Sequence, residues 1–412
     1  MTDFYDDLET RSPEQRERAI LSALPEHVAH AKGNTAYFGA LLKGCDPKKI
    51  GSRESLAQLP VTRKSDLIAL QKEAPPFGGM TAVDTGKLGR IFLSPGPIYD
   101  PQGAVGDFWR FGRALWAAGF RPGDLVHNTF SYHFTPAGFM MDLGAQAVGC
   151  AVVPAGVGQT EMQVQAIADL RPDAYAGTPS FLKIILEKAD EAGADMSSLK
   201  KALVSGEALL PAVREALSAR GIEVRQCYGT ADLGLIAYES EPSAGLIVDE
   251  GVIVEIVRPG SNDPVADGEV GEVVVTNLAT EYPLIRFGTG DLSAVLAGQS
   301  PCGRTNMRIK GWMGRADQTA KVKGMFVHPS QVDQVAKRHQ EVVRSRLVIE
   351  HDNHSNDRMT LQCEVTSGSD ELKSAIANTI RDITKLRGEV SFVSPGSLPN
   401  DGKVIDDLRK FD

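Results

Sequence analysis

No CxxC pair occurs in this sequence: its five cysteines, Cys45, Cys150, Cys227, Cys302 and Cys363, are scattered over 412 residues. Disulfide frameworks and common zinc modules need closely spaced cysteines, so the pattern predicts reduced, mostly buried thiols. A basic excess is missing too. Lys and Arg number 44 against 53 Asp and Glu, a formal net charge of -9. Non-specific binding to nucleic acid or anionic membrane depends on clustered cations at phosphate, so both partners are disfavoured, while local sites for small anions are not. The most apolar stretch, 134–157, contains Pro136, Asp142, Gln146 and Pro154. A lipid-facing helix tolerates such residues only with buried partners, so the stretch reads as a buried helix and strand rather than a membrane span. Residues 1–10 carry early acids and no apolar centre of the kind a secretory signal needs, which leads us to expect a cytoplasmic protein. Internal repeats and low-complexity tracts do not stand out.

What is present is alternation. Ser12-Pro13-Glu14 is a helix start, a cap followed by proline in the first turn, and it opens a polar helical lead-in over 20–70. Between 90 and 228, short apolar runs alternate with amphipathic segments. The strand candidates are 90–93, 125–129, 151–153, 174–176, 202–204 and 224–227, a rhythm that predicts a mainly parallel, helix-covered sheet. Beyond Gly245 the pattern turns to hairpins, with strands at 252–257 and 272–276 flanking a turn-rich loop, Pro259-Gly260-Ser261-Asn262-Asp263. From Gly314 on, helices near 330–338 and 371–386, a hairpin at 352–357 and a strand at 390–393 suggest a separate unit. The expected fold class is α/β: a large domain over 1–313, with a mainly parallel helix-covered sheet plus a small β unit, and a small mobile α+β domain over 314–412.

Several segments then fall in a telling order. Leu59-Pro60-Val61-Thr62-Arg63-Lys64-Ser65-Asp66-Leu67, Gly158-Gln159-Thr160-Glu161, Arg171-Pro172-Asp173, Gly177-Thr178-Pro179-Ser180, Tyr228-Gly229-Thr230-Ala231-Asp232, Arg286-Phe287-Gly288-Thr289-Gly290-Asp291-Leu292 and Leu398-Pro399-Asn400-Asp401-Gly402-Lys403 follow one another along nearly the whole chain. Together they resemble the acyl-adenylate-forming (AMP-binding) superfamily and, within it, the phenylacetate-CoA ligase family. The resemblance implies an acid–thiol ligase that uses ATP, Mg2+ and coenzyme A and passes through an acyl-AMP intermediate. It implies that Tyr228, in the "YG.TE" position with Gly229 and Thr230, stacks on adenine. Ser205, Gly206 and Glu207 would line the adenine pocket, and Asp232 would hold magnesium where the family has glutamate. Asp291 would accept hydrogen bonds from both ribose hydroxyls, a task suited to a carboxylate. Arg315 would contact ribose or phosphate, Asp317 would be the hinge, and Gly324 would border the coenzyme A tunnel. Lys321 and Lys323 read equally as ligand contacts and as a solvated strand edge. Lys403 would be the catalytic lysine, because one mobile ammonium can stabilise charge developing between a carboxylate oxygen and the α-phosphorus.

The family's phosphate loop, "SSGTTGKPT", is degenerate here. Over Ser94-Pro95-Gly96-Pro97-Ile98-Tyr99-Asp100-Pro101-Gln102 only Ser94, Gly96 and Pro101 survive. Such loops offer N–H groups, hydroxyls and a basic side chain to phosphate oxygens; Pro95 and Pro97 have no N–H, and Asp100 replaces the lysine. Three readings stay open: a ligase with a rebuilt loop, a protein that has lost or changed the first half-reaction, and a non-catalytic nucleotide or acyl-CoA binding relative; within enzymes the runner-up is an adenylating enzyme that hands the acyl group to another nucleophile. A cysteine–histidine zinc site found in some members would fall at Glu239-Ser240, Gly245-Leu246-Ile247 and Ser300-Pro301-Cys302-Gly303. Only Cys302 remains of its ligands, so no zinc is expected and Cys302 reads as buried or inert. The segment Phe130–Phe139 borders the acyl pocket in relatives. Tyr132, His133 and Phe134 would wall it for a small aryl carboxylic acid, with His133 orienting the carboxylate. A homodimer is common among relatives.

Overall fold

The structure is a computed structural model and describes residues 4–241, 243–257, 263–316, 320–327, 329–352, 356–399 and 404–409. Lys403, Asp317 and most of the turn-rich 259–263 loop lie outside the described residues. The chain divides into two compact units, Met1–Gly314 and Arg315–Asp412.

The first unit opens on the helix Pro13–Asn34. Ser12 Oγ accepts from the Gln15 amide at 3.2 Å while Gln15 Oε1 accepts from the Ser12 amide at 3.0 Å, a reciprocal cap that satisfies two otherwise orphaned donors. Ile20, Leu24, Val28 and Ala31 recur on one face and pack with Phe38, Leu56, Ile253 and Ile285. His27, 8 % exposed, is buried in the same helix. Burial, aided by the neighbouring charge of His30, pulls its imidazole down to about 4. The folded chain thus keeps His27 neutral while the unfolded chain protonates near the ordinary 6.5. Stability is therefore lost as pH falls from about 6.5 towards about 4. Between pH 7 and pH 5 we expect a fall of about 2 kcal/mol in unfolding free energy from this group. Urea denaturation of wild type and His27→Gln at both pH values checks it, the variant losing that part of the dependence.

The main sheet runs, among the described residues, in the order Val295–Leu296, Arg308–Ile309, Leu246–Val248, Gly234–Tyr238, Glu223–Thr230, Lys201–Val204, Ala174–Gly177, Leu125–Asn128, Ala151–Pro154. The last five are mutually parallel and the others join antiparallel. Alternate residues serve opposite faces. Ala174, Ala176 and Leu203 pack with the helices Phe111–Ala117 and Ala137–Val148, whereas Tyr175, Ala202 and Val204 pack with Thr160–Leu170, Pro179–Ala192 and Pro211–Ser218. A mixed α/β architecture with a helix-covered, partly parallel sheet is thus what the alternating pattern builds.

Two expectations need correction. The 90–93 segment does not join this sheet: Arg90–Ser94 returns on Ile98–Gln102 as a separate antiparallel ribbon, because the Pro95-Gly96-Pro97 turn leaves no residues for a crossover. Ala151–Pro154 is not buried but forms an edge, with Ala151 and Pro154 exposed. Proline has no N–H for a further ladder bond and is confined to such edges.

Beyond the sheet, Val252–Val257 pairs with Gly271–Asn277, which pairs with Phe287–Ser293; Thr62–Arg63 from the lead-in adds alongside in parallel. This β unit carries the lead-in's 59–67 segment next to 286–293.

In the second unit, Val342–His351 and Asp357–Val365 form a hairpin flanked in parallel by Glu389–Val393 and Ile405–Asp407. The helices Pro329–Lys337 and Asp370–Thr384 supply Val332, Val335, Ile376 and Ile380 to a core shared with Leu347, Ile349 and Leu361. The Ile405–Asp407 strand was not legible in the sequence, since three residues with two acids show no periodicity. No helix among the described residues is long and apolar enough to cross a membrane.

Candidate active site

The carboxyl ends of two neighbouring parallel strands deliver the first group of side chains, as expected for ligand sites in open α/β sheets. Ser205-Gly206-Glu207 follows Lys201–Val204, and Tyr228, Gly229 and Thr230 end the strand Glu223–Thr230. Ser205 Oγ donates to the Cys227 carbonyl at 2.9 Å, and Glu207 Oε1 accepts from the Ser180 amide at 2.7 Å. Gly206 has φ 87°, a left-handed conformation that favours glycine. A bulge falls between Tyr228 and Gly229, where a Cβ on Gly229 would lie 2.6 Å from the Gly234 carbonyl oxygen. Thr230 Oγ1 accepts from the Leu233 amide and ties the following turn.

Tyr228 reaches across to the β unit. Its hydroxyl donates to Asp291 Oδ2 at 2.8 Å, and Trp312 Nε1 donates to Asp291 Oδ1 at 3.0 Å. Both carboxylate oxygens are thereby oriented beside two aromatic rings. Trp312 escaped the sequence reading, for it belongs to none of the segments quoted there. Arg286, of the same "R.TGDL" segment, turns away from Asp291: it is 1 % exposed, pairs with Glu255 at 3.0 Å and donates to the Ala57 and Leu59 carbonyls. It is a strut between the β unit and the lead-in.

Next to this lies a buried charge cluster. Asp232, 1 % exposed, is ion-paired through Oδ2 with Lys64, delivered by the turn after the short strand Thr62–Arg63. The ribbon that replaces the phosphate loop brings Asp100, 0 % exposed, against them. Ser94 Oγ bonds the Ile98 carbonyl at 3.4 Å across the turn containing Gly96, and Pro101 pairs in register with Ile91. Burial, reinforced by Asp232 and opposed by Lys64, raises the Asp100 carboxyl well above its ordinary value. Burial works against the Lys64 ammonium as well, but Asp232, Asp100 and Asp291 outweigh it and hold the lysine protonated beyond its usual range. Lys64 was visible only as part of the quoted lead-in segment, without a role; its partner is set by the fold.

Magnesium takes oxygen ligands and commonly keeps several waters, using one or two carboxylates with substrate phosphates. Asp232 Oδ1 reaches no hydrogen-bond partner, so the residues present fit such an ion. No group of three or more His, Cys, Asp or Glu among the described residues forms a fuller cage.

Of the expected acyl wall, Tyr132 is half-buried: its hydroxyl accepts from Asn128 Nδ2 at 2.7 Å and donates to Asp142 Oδ2 at 3.0 Å. Its ring meets Phe139 at 5.1 Å, which meets Phe92 at 5.5 Å. His133 is exposed, and Phe134 is 64 % exposed, its carbonyl accepting from the Leu93 amide. These two rings pack edge-on with each other rather than with the Phe92–Phe139–Tyr132 cluster.

In the second unit, Arg315 and Lys321 both lie over the Phe326 ring, at 5.8 and 5.3 Å. Gly324 follows Lys323 in the two-residue turn between Ala320–Val322 and Met325–Val327, with φ 48° and 82°. Two successive positive φ values define a hairpin turn that calls for glycine, and a Cβ there would meet no atom within 4 Å, so the turn rather than crowding accounts for the residue.

Where the 239–240 and 300–303 segments meet stands a guanidinium. Arg304 Nη1 donates to Ser240 Oγ at 2.7 Å and pairs with Glu9 at 3.1 Å beside Cys302. Cys302 is half-buried rather than buried. Burial opposes its thiolate, yet hydrogen bonds from Ser300, Arg304 and Ser240 outweigh that and lower the thiol below its ordinary value.

Comparison with known proteins finds relatives along nearly the whole chain. Family models described as AMP-binding enzyme and AMP-binding enzyme C-terminal domain match residues 107–280 and 324–408. The chain is 31 % identical to a phenylacetate-coenzyme A ligase of Thermus thermophilus, covering 99 % of this chain and 100 % of that one. With the phenylacetate-coenzyme A ligase of Escherichia coli the identity is 29 %, covering 98 % of both. A crystal structure of 2-hydroxyisobutyryl-CoA ligase with 2-HIB-AMP and CoA superposes with a TM-score of 0.86 at 25 % identity, over 100 % of this chain and 93 % of that one.

Proposed function

Because the chain belongs to the phenylacetate-coenzyme A ligase family of AMP-binding enzymes, we propose that it activates a small aryl carboxylic acid, phenylacetate or a close relative. It is an AMP-forming acid–CoA ligase, with ATP and CoA as co-substrates and an acyl adenylate between them. The observation that carries the reading is the Tyr228–Asp291–Trp312 arrangement at the sheet's carboxyl edge. It sets an aromatic face beside a carboxylate, the two features a nucleoside requires. The Phe92–Phe139–Tyr132 cluster supports an aromatic acid, since rings prefer edge or offset contact with rings.

In the first step the acid oxygen attacks the α-phosphorus and pyrophosphate leaves. Lys403 stabilises the charge that develops between the two. A magnesium ion at Asp232 would supply further neutralisation of phosphate charge. Ser205, Gly206, Glu207, Gly229 and Thr230 hold the base, and Arg315 contacts ribose or phosphate. Rotation at Asp317 then withdraws Lys403 and brings Gly324 to the path of the pantetheine arm, so that the thiol attacks the mixed anhydride. One small domain serving two steps requires such a hinge.

The test is pyrophosphate release, followed by thioester formation, with a panel of aryl acids and short aliphatic acids that includes 2-hydroxyisobutyrate. Highest kcat/KM for an aryl acid is expected; preference for an aliphatic hydroxy acid would overturn the substrate reading. Asp291→Asn is expected to raise the KM for ATP roughly 10–100-fold, as loss of hydrogen bonds to a charged group does. Steady-state kinetics at saturating acid measures it.

A further inference from the structure

The degenerate phosphate loop leaves Asp100 in a position that ordinary folding energetics does not explain. It is fully buried, and neither carboxyl oxygen reaches a partner at hydrogen-bond geometry, although Ser94 and Asp232 lie close enough to act on it. Asp232 Oδ1 is likewise without a partner, its Oδ2 being held by Lys64. A third unpartnered group stands within electrostatic reach of both carboxylates. The Tyr282 hydroxyl is fully buried and unpartnered, and its proton is held tightly by burial and by the charges of Asp232 and Asp100.

Two carboxylates and one ammonium leave the cluster one negative charge in excess when Asp100 is ionised. Burying such a charge without a partner is costly, and neither Asp100 oxygen has a hydrogen-bond partner to offset it. A divalent cation meets that need by neutralising the excess while engaging the idle oxygens of Asp100 and Asp232.

We propose that Asp100, together with Asp232 Oδ1, forms a preformed divalent-cation site that takes its metal before nucleotide binds, with the Tyr282 hydroxyl at its edge and Lys64 retained on Asp232 Oδ2. The proposal rests on the assignment of Asp232 as the magnesium residue and adds a second protein ligand from the altered loop. The carboxylate that replaces the loop's lysine thus brings in the positive charge that the lysine no longer supplies. Two carboxylates with remaining positions for water or phosphate match the preferences of magnesium.

The experiment titrates Mn2+ alone, without nucleotide, into the full-length protein and follows the free-ion signal by electron paramagnetic resonance. Wild type, Asp100→Asn and Asp232→Asn are compared, with Mn2+-dependent thermal shifts in parallel. Asn is isosteric and removes a buried charge, so Asp100→Asn is expected to fold at least as stably as wild type without metal. Wild type should bind one Mn2+, and each variant should bind it roughly tenfold or more weakly, since even outer-shell partners of metal sites are worth 10–100-fold in affinity. The thermal shift produced by Mn2+ should shrink likewise. If Asp232→Asn alone weakens binding, the role of Asp100 is overturned while that of Asp232 stands. If wild type binds Mn2+ only after ATP is added, the preformed site is overturned. Unchanged binding in both variants overturns the site and the Asp232 assignment together.

Discussion

Lys403→Ala is expected to slow pyrophosphate release from ATP and acid by roughly 10²–10³-fold, the usual cost of removing one group that stabilises charge in the transition state. Its effect on the second step should be small. Supplied with chemically prepared acyl-AMP and CoA, the variant should form thioester within a few-fold of the wild-type rate, because in the proposed cycle the lysine is withdrawn before the thiol attacks. This split distinguishes a catalytic ammonium from a structural one, which would slow both steps alike. A stopped assay for pyrophosphate and a separate thioester assay from the adenylate measure the two halves. Equal rates for wild type and variant in the first assay, with an active acid present, would remove Lys403 from the mechanism.

A second large effect is expected on stability. Arg286→Leu leaves Glu255 buried without its cation and strips the Ala57 and Leu59 carbonyls of their donor. Burial already pushes the Glu255 carboxyl up against the pull of Arg286. Breaking one side of a buried pair costs about 3–5 kcal/mol, whereas replacing both partners with apolar groups of similar size is often neutral. We therefore expect Arg286→Leu to lower the unfolding free energy of the first unit by that amount, and Glu255→Leu in the same chain to recover much of it. Trp109, Trp116 and Trp312 all lie in Met1–Gly314, so tryptophan fluorescence in denaturant reports this unit alone. That separation matters, because a chain of two units need not unfold in one step.

Much of the fold was written locally. The strands at 125–128, 174–177 and 201–204 are short apolar runs between amphipathic segments, and their alternation admits little besides a helix-covered parallel sheet. Ser12-Pro13 announced its helix for a similarly local reason, since cap and proline act within one turn. Errors arose where a segment's neighbour, rather than its own pattern, decides. The 90–94 run looks like any sheet strand, but the proline-bearing turn after it commits it to a ribbon. The apolar 151–154 run looks buried, but Pro154 places it at an edge.

At the site, the residue types were legible and their pairings were not. Tyr228, Asp232 and Asp291 stand in short motifs whose order along the chain marks the family. The sequence gives no hint that Trp312 completes the orientation of Asp291, that Lys64 is the partner of Asp232, or that Arg286 serves as a strut. Those partners are 21, 168 and 31 residues apart respectively, the last counted from Arg286 to Glu255. Asp100 is the clearest case. In the sequence it reads as a lost lysine; in three dimensions it is a buried carboxylate facing a second one.

The sequence by itself thus determined the α/β architecture and the family, because propensity, periodicity and short motifs are properties of neighbouring residues. Only the tertiary structure decided which charges meet. Burial and electrostatic pairing depend on distances between segments far apart in the chain, and the energy of a carboxylate such as Asp100 is set by what the fold places beside it.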